Sequence, residues 1–165
     1  MTITDAHRSY LLLEQGIGSV VINLVLNAGI AWLLFRGLAV VPLWGDQSIA
    51  GDTIATTLIL PFLTCLIVTR LAHGEVRKGR FDAPAWRRGS HAVLGRLPGK
   101  TLARAVVIAV ASVIIFVPPA LAAFSILGIT ELPFRTFLIF KSIYAGILGG
   151  LVAPVIALSA LGDAT

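Results

Sequence analysis

Apolar residues run in four long blocks along this chain, separated by two short polar interruptions and one long basic one. The blocks extend roughly from Ile17 to Phe35, Ile54 to Thr69, Ala105 to Leu127 and Phe137 to Leu161. A helix needs about 20 apolar residues to cross the hydrocarbon of a bilayer, within a range of about 17–25. Each block therefore predicts a membrane-spanning helix, and the chain predicts an all-α, polytopic fold of four spans. The first helix can begin as early as Asp5. The second block is short and must borrow Thr53 and Leu71 at its ends; the fourth is long and should tilt.

Composition agrees with that pattern. The chain has 165 residues, 57% apolar and 13% charged, where soluble domains sit near 45–50% apolar and about 25% charged. A chain this short has no soluble core large enough to hide so much apolar surface, so residues 1–165 read as one four-helix membrane domain. The run that begins near Tyr10 is too long for a signal-peptide core and lacks a small-x-small cleavage site, which predicts an uncleaved anchor.

The link from Arg70 to Arg104 carries nine basic residues against Glu75 and Asp82, while the whole chain is only +5. Positive charge collects on the cytoplasmic side, so the link and both termini are expected in the cytoplasm, most naturally that of a bacterial cell bounded by its cytoplasmic membrane. Trp32 and Trp44 then fall near the outer interface, Tyr10 and Trp86 near the inner one. Arg77, Lys78, Arg80, Arg87 and Arg88 are expected to contact anionic lipid, worth about 1 kcal/mol per residue near the surface. Phe81, Trp86 and Leu94 would dip into the interface. No nucleic-acid reading motif accompanies this charge.

Two loops look alike. "GLAVVPLW" (Gly37 to Trp44) and "GITELPFR" (Gly128 to Arg135) each place a proline five residues after a glycine. Pro61 and Pro154 then interrupt the blocks that follow. This spacing predicts two tandem helical hairpins related by an axis along the membrane normal, a parallel repeat.

Inside the blocks, polar and small residues are the informative ones. Gly16, Ser19, Asn23 and Asn27 form one stripe at helical spacing. Unpaired in hydrocarbon, each carboxamide group would cost several kcal/mol, so Asn23 and Asn27 must face protein or water. Thr57 is their expected partner, because Pro61 cannot donate to its carbonyl. Asn23, Asn27, Thr57 and Pro61 thus make a candidate midplane polar site. Pro118 and Pro119 free further carbonyls at similar depth. Gly146, Gly149, Gly150 and Ala153 present a small face suited to close helix packing, either within the bundle or between copies. Three charges adjoin the membrane: Glu14, Arg36 and Lys141. Lys141 is expected to snorkel to the headgroups or to pair with Asp52 or Glu131.

Catalytic patterns are missing from the sequence. There is no Ser-His-Asp set, no paired carboxylates, no phosphate-cradling loop and no HExxH. His7, His73 and His91 match no metal motif, and Cys65 stands alone. Hence no enzyme, metal or cofactor is expected. Glu14 in the first of four helices resembles the acidic residue of the small multidrug resistance transporters. Chain length, the depth of the carboxylate and the basic link all depart from that family, so the resemblance fails and no characterised family is recognised in the sequence. The leading expectation is a non-enzymatic accessory, scaffolding or self-assembling subunit, acting through helix contacts as a homo-oligomer or within a larger membrane complex. The alternative is a small oligomeric transporter or channel built around Asn23 and Asn27.

Overall fold

The computed structural model describes residues 5–79 and 97–163. Arg80, Arg87, Arg88 and His91, with the interfacial anchors Phe81, Trp86 and Leu94, lie outside the described residues. The fold is all-α, with helices α1 (Asp5–Ser9), α2 (Gly18–Phe35), α3 (Ile49–Arg77), α4 (Thr101–Ile126) and α5 (Phe134–Asp163). A π-helical segment, Tyr10–Ile17, joins α1 to α2, so the first long helix is continuous from His7 to Phe35. Four helices are long and apolar enough to cross a membrane, and the chain is that of an integral membrane protein. Each helix outruns its apolar block at one end or both. Backbone hydrogen bonding continues into the headgroup zone, where polar side chains are tolerated. Arg70 to Arg77 and Thr101 to Arg104 are therefore helix rather than loop.

Local chemistry sets the helix ends. Ser48, in extended conformation, accepts a hydrogen bond from the Gly51 amide at 3.1 Å and caps α3. Gly128 closes α4 with φ of +65°, a left-handed conformation that glycine adopts without a Cβ clash. The Ile129 amide then reaches back to the Phe124 carbonyl at 2.9 Å. The helices run unbroken through Pro61, Pro118, Pro119 and Pro154, where the sequence pattern predicts interruptions. Each ring deletes one backbone bond, and neighbouring helices and hydroxyls can satisfy the freed carbonyls.

Two short strands, β1 (Val40–Pro42) and β2 (Glu131–Pro133), pair antiparallel across the end opposite the basic link. The register is Val40 with Pro133, Val41 with Leu132 and Pro42 with Glu131. Val41 and Leu132 each stand four residues after the glycine that opens their loop, so the ladder is centred on corresponding positions. Phe35, Val41, Leu43, Ile49, Phe124, Leu132 and Phe137 form a small core beneath the strands. A larger core, with Leu60, Cys65, Leu148 and Ile156 at its centre, fills the space between the helices toward the other end.

Helix order in space differs from order in sequence. Helix α5 packs against both α2 and α3, and α3 packs against α4, whereas α2 and α3 barely meet. The fourth span is accordingly the most buried of the four and the first the most exposed. Contacts α2–α5 and α4–α3 exchange if the two hairpins are interchanged. That exchange and the strand register support the two-fold relation between hairpins, which stays a proposal.

Glycine makes the α2–α5 seam possible. A Cβ at Gly149 would lie 2.4 Å from Asn23 Nδ2 and 3.2 Å from Asn23 Cβ, and one at Gly150 would lie 2.4 Å from Val20 Cγ2. At the basic end, Arg104 is fully buried. Its guanidinium donates to Ser159 Oγ of α5 at 3.0 Å and to Thr69 Oγ1 of α3 at 3.1 Å. One side chain thereby ties three helices together.

Overpacking a tight seam costs about 1–3 kcal/mol, so Gly149→Ala is expected to lower stability by about that much. Gly29, whose Cβ would meet nothing within 4 Å, should tolerate alanine or gain up to about 1 kcal/mol. Unfolding midpoints in denaturing detergent for the two variants check this.

Candidate functional site

Because α2 and α3 both lean on α5 and not on each other, a groove of about 440 Å3 remains between them. Ligand pockets commonly occupy about 300–1,000 Å3. One wall is the α2 face with Ser19, Ile22, Asn23, Leu26, Asn27, Ile30 and Leu34; the other is the α3 face with Thr56, Ile59, Leu63, Thr64, Ile67 and Leu71. Glu14 and Gln15 line one end, Asp52 and Lys141 the other. From Glu14 to Leu34 the lining rises roughly 30 Å at 1.5 Å per residue, which matches the hydrocarbon thickness of about 30 Å. Ile22, Ile59 and Ile67 are more than half exposed, so the groove opens sideways as well.

The four residues of the candidate midplane site divide into two groups. Asn23 and Asn27 line the groove; Thr57 and Pro61 are buried and do not. The asparagines do not reach across to the second span. Asn23 Nδ2 donates to the Ser19 carbonyl at 2.9 Å and to Ser19 Oγ at 3.1 Å, and Asn27 Nδ2 donates to the Asn23 carbonyl at 3.0 Å. The expected contact between span one and the Thr57 carbonyl is thus corrected. Helix α2 sits against α5, and an amide whose own helix offers a carbonyl one turn away needs no second helix.

Thr57 serves the α3–α5 interface instead. Its hydroxyl donates to the Thr53 carbonyl at 2.6 Å and lies 2.6 Å from the Tyr144 hydroxyl. A hydroxyl has one proton to give, so Tyr144 donates to Thr57. Nothing in the apolar pattern of the fourth span marks Tyr144 for this role. It follows Lys141 by three positions, which puts both on one helical face, and Lys141 also reaches α3. Its ammonium pairs with Asp52 in the first turn of that helix, with both side chains buried.

The other candidate residues lie apart. Arg36 stacks on the Trp32 ring at 5.0 Å, at the end of α2. Gly146, Gly149 and Gly150 are occupied by α2, and Ala153 is buried. Arg77 and Lys78 are exposed at the end of α3, Lys78 pairing with Glu75 at 3.1 Å. Arg104, expected in the basic link, is a buried strut. The signal available for it was position, three residues into a helix whose next twenty are apolar apart from one serine and two prolines.

The groove offers hydrogen-bonding groups at intervals of about one helical turn and an ion pair at one mouth. Among the described residues, no three or more His, Cys, Asp or Glu side chains gather in a way that could hold a metal ion. Comparison with known proteins finds no matching family model, curated protein or solved structure. The site must be read from its own geometry.

Breaking a buried ion pair from one side typically costs about 3–5 kcal/mol, while replacing both partners with apolar residues is often neutral. Lys141→Met alone is expected to destabilise strongly, and Asp52→Leu with Lys141→Met to recover most of that loss. A double-mutant cycle on unfolding free energies measures the difference.

Proposed function

We propose that the protein is a small membrane transporter that carries an amphiphilic solute along the groove between α2 and α3. The carrying observation is that Asn23 and Asn27 line this groove at mid-depth. A polar group in hydrocarbon costs several kcal/mol unless it is hydrogen-bonded. Polar positions one turn apart lower that cost stepwise, while the open side leaves an apolar body in contact with lipid. In this reading the basic link is cytoplasmic and binds anionic lipid. Glu14 then marks the cytoplasmic mouth, and the Asp52–Lys141 pair the outer one. The work is binding and passage rather than bond chemistry.

A second reading, an accessory or self-assembling subunit, is favoured by α2. Only 11% of its span is buried within the chain, against 67% for α5. A partner helix or a second copy could cover that face. The small-residue face of α5 is not available for this role, being occupied by α2.

Purified protein in proteoliposomes is expected to move a fluorescent amphiphile between leaflets, and Asn27→Leu to reduce the rate about tenfold or more, as loss of about 1.4 kcal/mol of stabilisation would. Unchanged transport by Asn27→Leu refutes the groove as the route. No transport at all, together with a constant companion subunit in native mass spectra, favours the second reading.

A further inference from the structure

The groove also carries a preference of headgroup. We infer that its ligand is a zwitterionic amphiphile, an acyl chain whose head bears one phosphate and one primary ammonium, received at the Asp52–Lys141 pair. This rests on the groove being a ligand site, as proposed above.

Three observations support it. First, the polar links between helices differ in where they face. Thr57 with Tyr144, and Arg104 with Ser159 and Thr69, line no part of the groove, whereas Asp52 and Lys141 both do. The pair therefore ties α5 to α3 and also forms part of the groove wall. Second, its two charges are opposite and adjacent, with both side chains buried. A head of one sign would attract one partner and repel the other. Drawing one partner away would leave the other as an uncompensated buried charge. A hydroxyl head matches neither charge with an opposite one. A zwitterionic head lies alongside the pair in antiparallel sense, phosphate toward the Lys141 ammonium and ammonium toward the Asp52 carboxylate. The link between the helices then stays closed, and each charge taken out of water meets its opposite. A primary ammonium also has three N–H groups to donate, which a carboxylate accepts. Third, the position suits a lipid headgroup. Asp52 stands in the first turn of α3 and Lys141 near the start of α5. Deeper in the membrane the walls are aliphatic, with Leu26, Ile30, Ile59 and Leu63. From Leu34 to Asn23 the α2 wall covers roughly 16 Å at 1.5 Å per residue. That is about half the hydrocarbon thickness of about 30 Å, the depth of one leaflet. The open side of the groove admits the chain from the bilayer.

The test uses the full chain in micelles of an uncharged maltoside detergent, which supplies no competing charged head. Four probes share one fluorescent acyl chain and carry a phosphoethanolamine, a primary ammonium, a methyl phosphate or a hydroxyl head. Binding is measured against empty micelles. The phosphoethanolamine probe is expected to bind about tenfold tighter than the hydroxyl probe, equivalent to about 1.4 kcal/mol, and tighter than either singly charged probe. Asp52→Leu with Lys141→Met, with folding checked by its unfolding midpoint, should bind the phosphoethanolamine and hydroxyl probes alike. A photoreactive group on the phosphoethanolamine head locates it without any substitution. Labelling within residues 49–55 or 138–142 is expected, and it decides the matter if the double variant does not fold. Equal binding of all four probes, tighter binding of a singly charged probe, a preference that survives the double substitution, or labelling elsewhere overturns the inference and leaves the groove as a ligand site. Binding of no probe above empty micelles overturns the inference and the groove reading together.

Discussion

The close approach of α2 to α5 is the constraint on which the rest of this structure depends. Gly149 leaves the space that Asn23 occupies, and Gly150 leaves the space for Val20. Lipid supplies no hydrophobic drive between helices, so packing of this kind decides which helices associate. With α5 packed against both α2 and α3, the first two spans of the chain barely touch each other. The groove between them follows from that seam, and the two strands beyond hold the loop ends together without filling it.

Polar groups within the bundle divide along the same line. Between the packed helices they are paired tightly and locally: Arg104 with Ser159 and Thr69, Tyr144 with Thr57, Lys141 with Asp52. Tyr144 and Lys141 join α5 to α3, and Arg104 joins α4 to both. On the α2 wall of the groove, Asn23 and Asn27 donate only within their own helix, so their carboxamide oxygens face the space between the helices. The first set holds the bundle; the second is what gives the groove a chemistry beyond that of a lipid-filled crevice.

That division also changes how the small-residue face of α5 is read. A glycine stripe at this spacing fits an oligomer contact equally well from sequence. Here it is filled from within the chain. Surface for partners or lipid remains on the outward sides of all four spans, most of all on α2, where it is mainly aliphatic and makes no specific demand. The groove is the more specific of the two features, since its polar positions are spaced along the membrane depth.

The sequence by itself determined the four spans, because period and length of apolar blocks are local properties that a bilayer reads directly. It also placed Asn23 and Asn27 on one stripe with Ser19, since helical spacing alone decides that, and it raised Asp52 as a partner for Lys141. Only the tertiary structure decided that the first span lies against the fourth. Many packings satisfy the same hydropathy, and the choice among them rests on shape complementarity a few ångströms deep between residues over a hundred positions apart. For the same reason Thr57 and Pro61 parted from the asparagines, and Arg104 changed from a loop charge into a buried strut. Neighbourhood across helices is not written in the periodicity of any one of them.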